Sequence, residues 1–255
     1  MDNTTIKALR VLEALAQSDE PRGVAELGRQ VGLTKSNTFR ILATLASQGY
    51  VRSHPETGRY SLTLKIWEQG AKVIERHPVR RVAQPHLKQL FVQLNETILL
   101  SVLELPDVLY IGKMDSDYPV RASARVGSRA PAWRIASGKA MLAYQAEEVI
   151  EEVAQNAGLT PDVLDQLRDE LREIRERGFA MSLSGSRPGV NSVAAPVWTS
   201  DSAPTAAVSV SGPAERFSTE RMAALGSAVM NTATRISESL GVSSPTFANF
   251  SFVQG

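Results

Sequence analysis

The chain of 255 residues contains no cysteine. This absence excludes disulfide bonds and thiolate metal sites, and it fits a reducing compartment. Long apolar runs are also missing, since no stretch reaches the roughly eighteen residues that a membrane-spanning helix needs. The N-terminal segment begins with acidic Asp2 and has no apolar core of the kind that signal peptides carry. We therefore predict a cytoplasmic protein without a membrane partner.

Catalytic motifs are scarce as well. The chain has only three histidines, and all of them precede residue 87: His54, His77 and His86. We find no nucleophile elbow of the form G-x-S-x-G, no H-E-x-x-H, no Walker loop and no G-x-G-x-x-G. We expect no enzyme, no cofactor and no metal site, with a small-molecule hydrolase kept as an alternative.

The net charge is only +1, but the charges are unevenly distributed. Between Gly28 and Tyr60 there are five basic residues and a single acidic residue, Glu56. Segment 76–88 adds further basic residues without any acid. By charge alone an ordinary solvated surface is the default explanation, so nucleic-acid binding needs further support.

The N-terminal segment has the pattern of three short helices. Apolar residues at helical spacing predict the first helix over 4–17. A second helix is predicted over 24–31. Gly32 then makes a turn, and Thr34 caps a third helix over 35–48. Two short helices joined by a glycine-containing turn are typical of a helix-turn-helix.

The third helix is predicted to read DNA. Phe39, Leu42 and Leu45 form an apolar stripe that we expect to face the core. The opposite face, which includes Ile41, points outward and suits the major groove. The residues of this helix that we predict to contact DNA are Lys35, Ser36, Asn37, Arg40 and Thr44.

After Gly49 the pattern changes to alternation. Two alternating runs flank five residues of turn chemistry over 50–62, which predicts a two-stranded hairpin. Three helices followed by a hairpin make a winged helix-turn-helix, which we assign to residues 1–62. Arg52 and Arg59 of the wing are expected to contact phosphates or the minor groove. Because many three-helix units bind proteins instead, a dimerisation module without DNA binding is a further alternative.

Residues 63–77 are predicted to form a linker helix. Its apolar residues lie in helical register, Gly70 interrupts it and Pro78 stops it. A helix this apolar between two domains has little core of its own to cover. We predict that it pairs with its copy in a homodimer, with packing on its own chain as the alternative. Two-fold symmetry would suit two DNA half-sites.

The remainder, residues 78–255, mixes helices and strands. A helix is predicted over 79–95, kinked or divided at Pro85. Further helices are predicted over 137–144, 147–154, 161–177 and 218–240. Strands are predicted over 97–104, 108–115, 121–126, 179–182, 192–198 and 205–212. Helices grouped around an antiparallel sheet indicate an α+β fold for a ligand-sensing domain.

Three places in this domain are candidates for a ligand site. The helix start at Ala136 and Ser137 presents free backbone N–H groups, which suit a carboxylate. Ser209 and Ser211 alternate along one strand, so both hydroxyls face the same way. The loop over 181–192 is rich in serine and glycine and could close over a site. Each feature also has an ordinary explanation as a capped helix, a half-buried strand or a surface turn.

Five segments resemble the IclR family of bacterial transcription regulators, in the order and spacing of that family. They are AELGRQVGLTKSNTFRILATLASQGYV, GRYSL, RVGSRAPAWRIASGKAMLA, GVNSVAAPVW and AVSVSGP. The resemblance implies an N-terminal winged helix, a linker helix and a C-terminal effector domain in a homodimer or a dimer of dimers. It also implies binding to double-stranded operator DNA under control of a small effector, and we expect a repressor rather than an activator.

The same resemblance implies the residues of an effector pocket. The acidic pair common in relatives near Leu183 and Ser184 is absent, and Trp133 stands where many members have histidine. These differences leave the helix start at Ala136 and Ser137 as a place for a carboxylate. We expect a small organic acid as effector, with an aromatic acid as one candidate. The implied pocket residues are Trp133, Ala136, Ser137, Ser182, Ser192, Ser209 and Ser211.

Overall fold

The computed structural model describes residues 3–185 and 187–242. The chain divides into two compact units, Met1–Glu75 and Arg76–Gly255, so the linker helix belongs to the first unit. The finer predicted boundaries at residues 62 and 77 stay a prediction. Residue 186 of the predicted serine-rich loop and residues 243–255 of the predicted effector domain lie outside the described residues.

The N-terminal unit consists of four helices and a small three-stranded sheet. Its core is formed by apolar side chains from three helices and from the sheet, among them Val11, Leu27, Leu42 and Tyr60. The elements are α1 (Asn3–Ala16), β1 (Arg22–Gly23), α2 (Val24–Val31), α3 (Lys35–Ser47), β2 (Val51–His54), β3 (Arg59–Leu62) and α4 (Lys65–Glu75).

The helix-turn-helix is confirmed, and local chemistry explains its turn. Gly32 ends α2 with a positive φ of 70°, a conformation that favours glycine. Thr34 caps α3, because its side-chain oxygen accepts a hydrogen bond from the Asn37 N–H at 3.3 Å. The two helices therefore pack against each other through a short connection.

The predicted inner face of α3 was wrong in part. Phe39 is 54% exposed, whereas Ile41, which we placed outside, is only 8% exposed. The buried stripe is formed by Thr38, Ile41, Leu42 and Leu45, which follow the helical spacing i, i+3, i+4, i+7. Angular position therefore decided burial, and the apolar character of Phe39 did not. The hydroxyl of Thr38 is satisfied inside the core because it donates to the Thr34 carbonyl at 2.9 Å.

The wing hairpin is present, together with a strand that the sequence did not reveal. Strands β2 and β3 pair antiparallel, with His54 opposite Arg59 at the turn end. The two-residue strand β1 pairs with β3 on its other side, with Arg22 opposite Tyr60. A strand of two residues is too short to show an alternating pattern, so the sequence indicated only a break there.

The linker helix α4 is anchored at its start to the C-terminal end of α3, and it has no buried residue. Lys65 donates to the Gln48 carbonyl at 2.6 Å, and the Thr63 hydroxyl donates to the Gly49 carbonyl at 2.6 Å. The helix continues through Gly70. Two of its large apolar side chains face solvent, Trp67 and Val73, each 69% exposed, and so does Leu64 just before the helix, at 73%. Ile66 and Ile74 are half-buried.

The second unit contains a six-stranded antiparallel sheet and five helices among the residues that the structure describes. The strand order is β6-β5-β4-β9-β8-β7. Its elements are α5 (Pro78–Leu94), β4 (Thr97–Glu104), β5 (Asp107–Met114), β6 (Arg129–Pro131), α6 (Ala136–Leu142), α7 (Glu147–Ala157), α8 (Pro161–Arg177), β7 (Ala180–Leu183), β8 (Val190–Trp198), β9 (Pro204–Pro213) and α9 (Thr219–Ser239).

This arrangement confirms the α+β class and corrects two details. The predicted strand over 121–126 is not a strand; it is irregular and is held by the Thr97 hydroxyl, which donates to the Ala122 carbonyl at 3.2 Å. The edge strand is β6 instead, which pairs with β5. Helix α5 is a single element with Pro85 inside it. None of the helices in the described ranges is long and apolar enough to cross a membrane.

A buried carboxylate ties the start of β4 to the segment after β9. Glu96 is fully buried, and its two oxygens accept hydrogen bonds from Arg216 at 2.9 and 3.1 Å and from Arg221 at 3.2 Å. The hydrogen bond to Glu96 raises the pKa of Arg216 above its ordinary value. Loss of the arginines would leave the buried Glu96 carboxylate without a partner, which is strongly unfavourable.

Close packing between α2 and α3 leads to a prediction about Gly28. A Cβ atom at this position would lie 2.9 Å from the Leu33 carbonyl oxygen and 2.9 Å from the Thr38 hydroxyl, which is itself hydrogen bonded. We expect Gly28→Ala to lower the free energy of opening of α2 and α3 by about 1–3 kcal/mol. Hydrogen exchange of peptides from these helices measures that quantity.

The matched control is Gly70→Ala in α4. An added Cβ there meets nothing within 4 Å. We expect this change to be neutral or to stabilise α4 by up to about 1 kcal/mol, because alanine is the better helix former. Equal exchange behaviour of the two variants would contradict the packing argument.

Candidate functional site

The outer surface of α3 carries the residues that were predicted to read DNA. Lys35, Ser36, Asn37, Arg40 and Thr44 are all exposed. Within the described part of the chain neither Lys35 nor Arg40 forms an ion pair, so both charges are available to a ligand. The Thr44 hydroxyl donates to the Arg40 carbonyl at 3.0 Å, and its lone pairs remain open.

The two wing arginines differ in their surroundings. Arg52 is exposed, and its side chain makes no hydrogen bond or ion pair to any residue that the structure describes. Arg59 donates to the Pro21 carbonyl at 2.9 Å and lies 3.8 Å from a Glu26 oxygen. The structure therefore presents one free wing cation and one that is already engaged within the protein.

The second unit contains a cavity of about 120 Å³ beside the central strands. It lies at the point where α6 begins and where β8 and β9 pair. In the register of these strands, Ser192 of β8 lies opposite Ser211 of β9. The lining residues are Leu99, Tyr110, Ala122, Ser123, Ala124, Ser128, Arg129, Ala130, Ile135, Ala136, Ser137, Arg187, Val190, Ser192, Ser209 and Ser211.

Five of the seven residues predicted for an effector pocket line this cavity together: Ala136, Ser137, Ser192, Ser209 and Ser211. Ser182 and Trp133 are not part of the lining. The Ser182 hydroxyl donates to the Arg134 carbonyl at 2.9 Å, and Ser182 borders a different depression. Trp133 packs against the core, with the Arg134 guanidinium 5.7 Å from its ring centroid.

The start of α6 is held close to the chain that precedes it. A Cβ atom at Gly138 would lie 2.1 Å from the Ala132 carbonyl oxygen, so only glycine fits there without a shift. The N-cap residue is Ile135, whose side chain makes no capping hydrogen bond. The first N–H groups of a helix have no partner inside it, so those of Ala136 and Ser137 remain available at the cavity wall.

Three serine residues with little exposed surface line the cavity, and their hydroxyls open onto it. The exposed fraction is 3% for Ser137, 3% for Ser209 and 6% for Ser211. None of the three hydroxyl groups makes a hydrogen bond to any residue within 3–185 or 187–242. Because buried polar groups normally have a partner, this cluster indicates a place where a ligand or solvent supplies one.

Sequence reasoning missed five polar residues of the cavity: Tyr110, Ser123, Ser128, Arg129 and Arg187. Burial raises the pKa of Tyr110 above its ordinary value, and the charge of Arg187 lowers it in part, so the phenol stays protonated at neutral pH. Arg187 is exposed and forms no ion pair with the described residues. Arg129 is engaged, since it donates to the Glu104 carbonyl at 3.1 Å. Only Tyr110 had a signal, its alternating position on a strand.

The described ranges contain no group of three or more histidine, aspartate or glutamate side chains that could hold a metal ion.

Comparison with known proteins covers both units. Residues 4–55 match the model of the IclR helix-turn-helix domain, and residues 71–238 match that of the bacterial transcriptional regulator IclR C-terminal domain. The HTH-type transcriptional regulator KdgR of Escherichia coli (strain K12) is 30% identical over 245 residues, which covers 94% of this chain and 93% of KdgR. The transcriptional repressor IclR of the same organism is 28% identical over 243 residues, covering 92% and 89% of the two chains.

Solved structures agree on the fold. The IclR of Thermotoga maritima has a TM-score of 0.72 at 27% identity and covers 94% of this chain and 100% of its own. An IclR homologue from Microbacterium hydrocarbonoxydans, complexed with 4-hydroxybenzoate, has a TM-score of 0.77 at 24% identity and covers 94% and 99%.

A helix-turn-helix unit joined to an antiparallel-sheet unit with a cavity defines a DNA-binding transcription regulator. The named relatives are regulators and not enzymes, which places the chain in the same class. The chain belongs to the IclR family of bacterial transcription regulators.

The wing arginines provide a matched pair of variants. Arg52→Ala should reduce the slope of log affinity against log salt by about 0.9, the value for one lost phosphate contact on duplex DNA. Arg59→Ala should reduce it less, because its guanidinium is already bound to the Pro21 carbonyl. Fluorescence anisotropy at several salt concentrations, on a duplex selected by the protein, measures both slopes. A larger effect at Arg59 than at Arg52 would show that the wing rearranges on DNA.

Proposed function

We propose that this regulator is a homodimeric repressor whose affinity for operator DNA is controlled by a small, hydroxylated organic acid bound in the cavity of the second unit. The single observation that carries the ligand assignment is the set of unpaired serine hydroxyls at Ser137, Ser209 and Ser211. A ligand with several hydrogen-bonding groups satisfies them, whereas a purely apolar ligand leaves them unpaired at a cost of about 1–3 kcal/mol each.

The charge of the cavity favours an anion. Two of its lining residues are arginines and none is acidic. The N–H groups of Ala136 and Ser137, the Tyr110 phenol and the Arg187 guanidinium are all donors, and donors suit a carboxylate. The carboxylate would lie at these donors while the ligand's hydroxyl groups bind the serines. The two pocket positions implied by resemblance but outside the lining, Ser182 and Trp133, have no part in this proposal.

The lining favours an aliphatic hydroxy acid over a large aromatic acid. Tyr110 is the single aromatic residue in the lining, and Trp133 packs elsewhere. Most of the remaining wall consists of serine and alanine, which offer hydroxyls and little aromatic surface. An aromatic hydroxy acid such as 4-hydroxybenzoate, the compound in the Microbacterium homologue, is the comparison ligand for the test.

Dimerisation is proposed through α4. Its exposed side chains Trp67 and Val73, with Leu64 just before it, are too apolar to stay in water at little cost. A second copy of the same helix is the partner that two-fold symmetry supplies.

Repression is the proposed direction because several relatives, including IclR and AllR of Escherichia coli, carry the name repressor. Effector and operator must then weaken each other's binding by the same factor.

Calorimetric titration of the purified chain tests the ligand class. The panel contains glycerate and gluconate as hydroxy acids, benzoate and 4-hydroxybenzoate as aromatic acids, and glycerol as a neutral polyol. We expect a hydroxy acid to bind and the neutral polyol not to bind. Binding of only neutral or cationic compounds would overturn the assignment of an acid, and binding of benzoate alone would overturn that of a hydroxylated ligand.

Serine variants locate the site. Ser209→Ala should weaken binding of the acid about two- to tenfold, the usual loss for a hydrogen bond between neutral groups. Ser200→Ala, in an exposed loop, is the control and should leave affinity unchanged. Ser182→Ala should have a smaller effect than Ser209→Ala, because its hydroxyl already donates to Arg134. A larger loss of affinity in Ser182→Ala than in Ser209→Ala would indicate that Ser182 belongs to the effector site.

Dimerisation through α4 is tested by Trp67→Glu. Two like charges at a symmetric interface repel each other, so we expect the dimer to dissociate at least tenfold more readily in sedimentation velocity. Val92→Glu, at an exposed position of α5, is the matched control and should not change the association state. An unchanged dimer in both variants would place the interface elsewhere.

A further inference from the structure

Phe39 lies on the outer half of α3 although it is a large apolar residue. More than half of its surface is exposed. Exposure of a phenylalanine forgoes the transfer free energy that its burial would supply. The core does not need it, because Thr38, Ile41, Leu42 and Leu45 already form the buried stripe of α3.

The neighbours of Phe39 on the helix surface are residues that suit DNA. Ser36 lies three positions before it, Ala43 four positions after it, and Arg40 follows directly. All three are exposed, and no acidic residue occurs between Thr34 and Gln48. The ring therefore extends from a small, uncharged or basic surface that a DNA duplex can approach without repulsion.

We propose that Phe39 is a specificity-determining residue that contacts the 5-methyl group of a thymine in the major groove of the operator. Among the base edges in that groove the thymine methyl is the one apolar group, and an aromatic side chain is a suitable partner for it. The inference rests on the assignment of α3 as the DNA-reading helix. It adds a preference that the polar residues of the helix do not supply.

The position of Phe39 next to Arg40 also fixes where the thymine should be. Adjacent helical residues differ by a rise of about 1.5 Å and a rotation of about 100°, so their side chains start close together and diverge, while base pairs are stacked about 3.4 Å apart. If Arg40 binds a guanine, the commonest specific contact of arginine, the thymine lies in the same half-site within a few base pairs of it. The preferred half-site thus contains a thymine and a guanine as near neighbours.

The experiment begins with selection of duplexes from a random pool by the full-length wild-type chain. Each thymine of the selected duplex is then replaced in turn by deoxyuridine, which differs only by the missing methyl group. We expect one thymine per half-site at which the replacement weakens wild-type binding about fourfold, the value for loss of one buried methyl. In Phe39→Ala the same replacement should have no effect, which is the signature of a direct contact in a double-mutant cycle.

Two further variants make the outcome specific. Arg40→Ala should bind more weakly but should keep the sensitivity to deoxyuridine at that thymine. Phe39→Leu, which keeps an apolar side chain, should retain part of the sensitivity. Because Phe39 is exposed, its replacement should not unfold α3, and circular dichroism of the variants checks this.

Contrary results are distinguishable. If Phe39→Ala loses affinity but keeps the full sensitivity to deoxyuridine, or if no thymine is sensitive in the wild type, the contact with a thymine methyl is overturned while DNA binding stands. If Phe39→Ala changes the association state instead, the ring belongs to a protein interface and the proposal is wrong. If the wild-type chain selects no duplex at all, the assignment of α3 as a reading helix fails as well.

Discussion

A polar group that is buried in a protein must find a hydrogen-bond partner, and most of this structure satisfies that constraint. The Thr38 hydroxyl enters the core of the N-terminal unit because the Thr34 carbonyl, one helical turn away, accepts its hydrogen bond. The Glu96 carboxylate is fully buried because two arginines meet it. The Ser237 hydroxyl in α9 donates to the Ala233 carbonyl and accepts from the backbone N–H of Trp198, both at 2.9 Å. These contacts give each of the three buried polar side chains a hydrogen-bond partner.

The cavity of the second unit differs from these contacts. Ser137, Ser209 and Ser211 line it with little exposed surface, and their hydroxyls make no hydrogen bond in the described chain. A ligand that fills the cavity must supply their hydrogen-bond partners, which gives the cavity a preference for polar ligands. In the wing, a hydrogen bond to the Pro21 carbonyl engages the exposed Arg59 side chain, whereas the Arg52 side chain has no partner among the residues that the structure describes.

Much of the architecture was predictable from periodicity and turn chemistry. The helices over residues 3–47 and the hairpin after them follow from apolar spacing, from the threonine cap and from glycine at a positive φ. The errors arose where a short pattern had more than one solution. Phe39 and Ile41 exchanged places because burial follows angular position on the helix, and the stripe through Thr38 was masked by its hydroxyl. Residues 121–126 alternate like a strand but have no neighbouring strand to pair with.

For the cavity, the sequence by itself determined that a serine-rich surface exists on β9 and at the start of α6, because strand alternation and helix termini are local properties. Only the tertiary structure decided which residues meet there. Strand register places Ser192 opposite Ser211. Arg187 lies in a loop that borders the cavity, and no local sequence pattern predicts that position. Ser182 turns to the Arg134 carbonyl instead. These outcomes depend on contacts between residues far apart in the chain, where register and packing decide and local propensity does not.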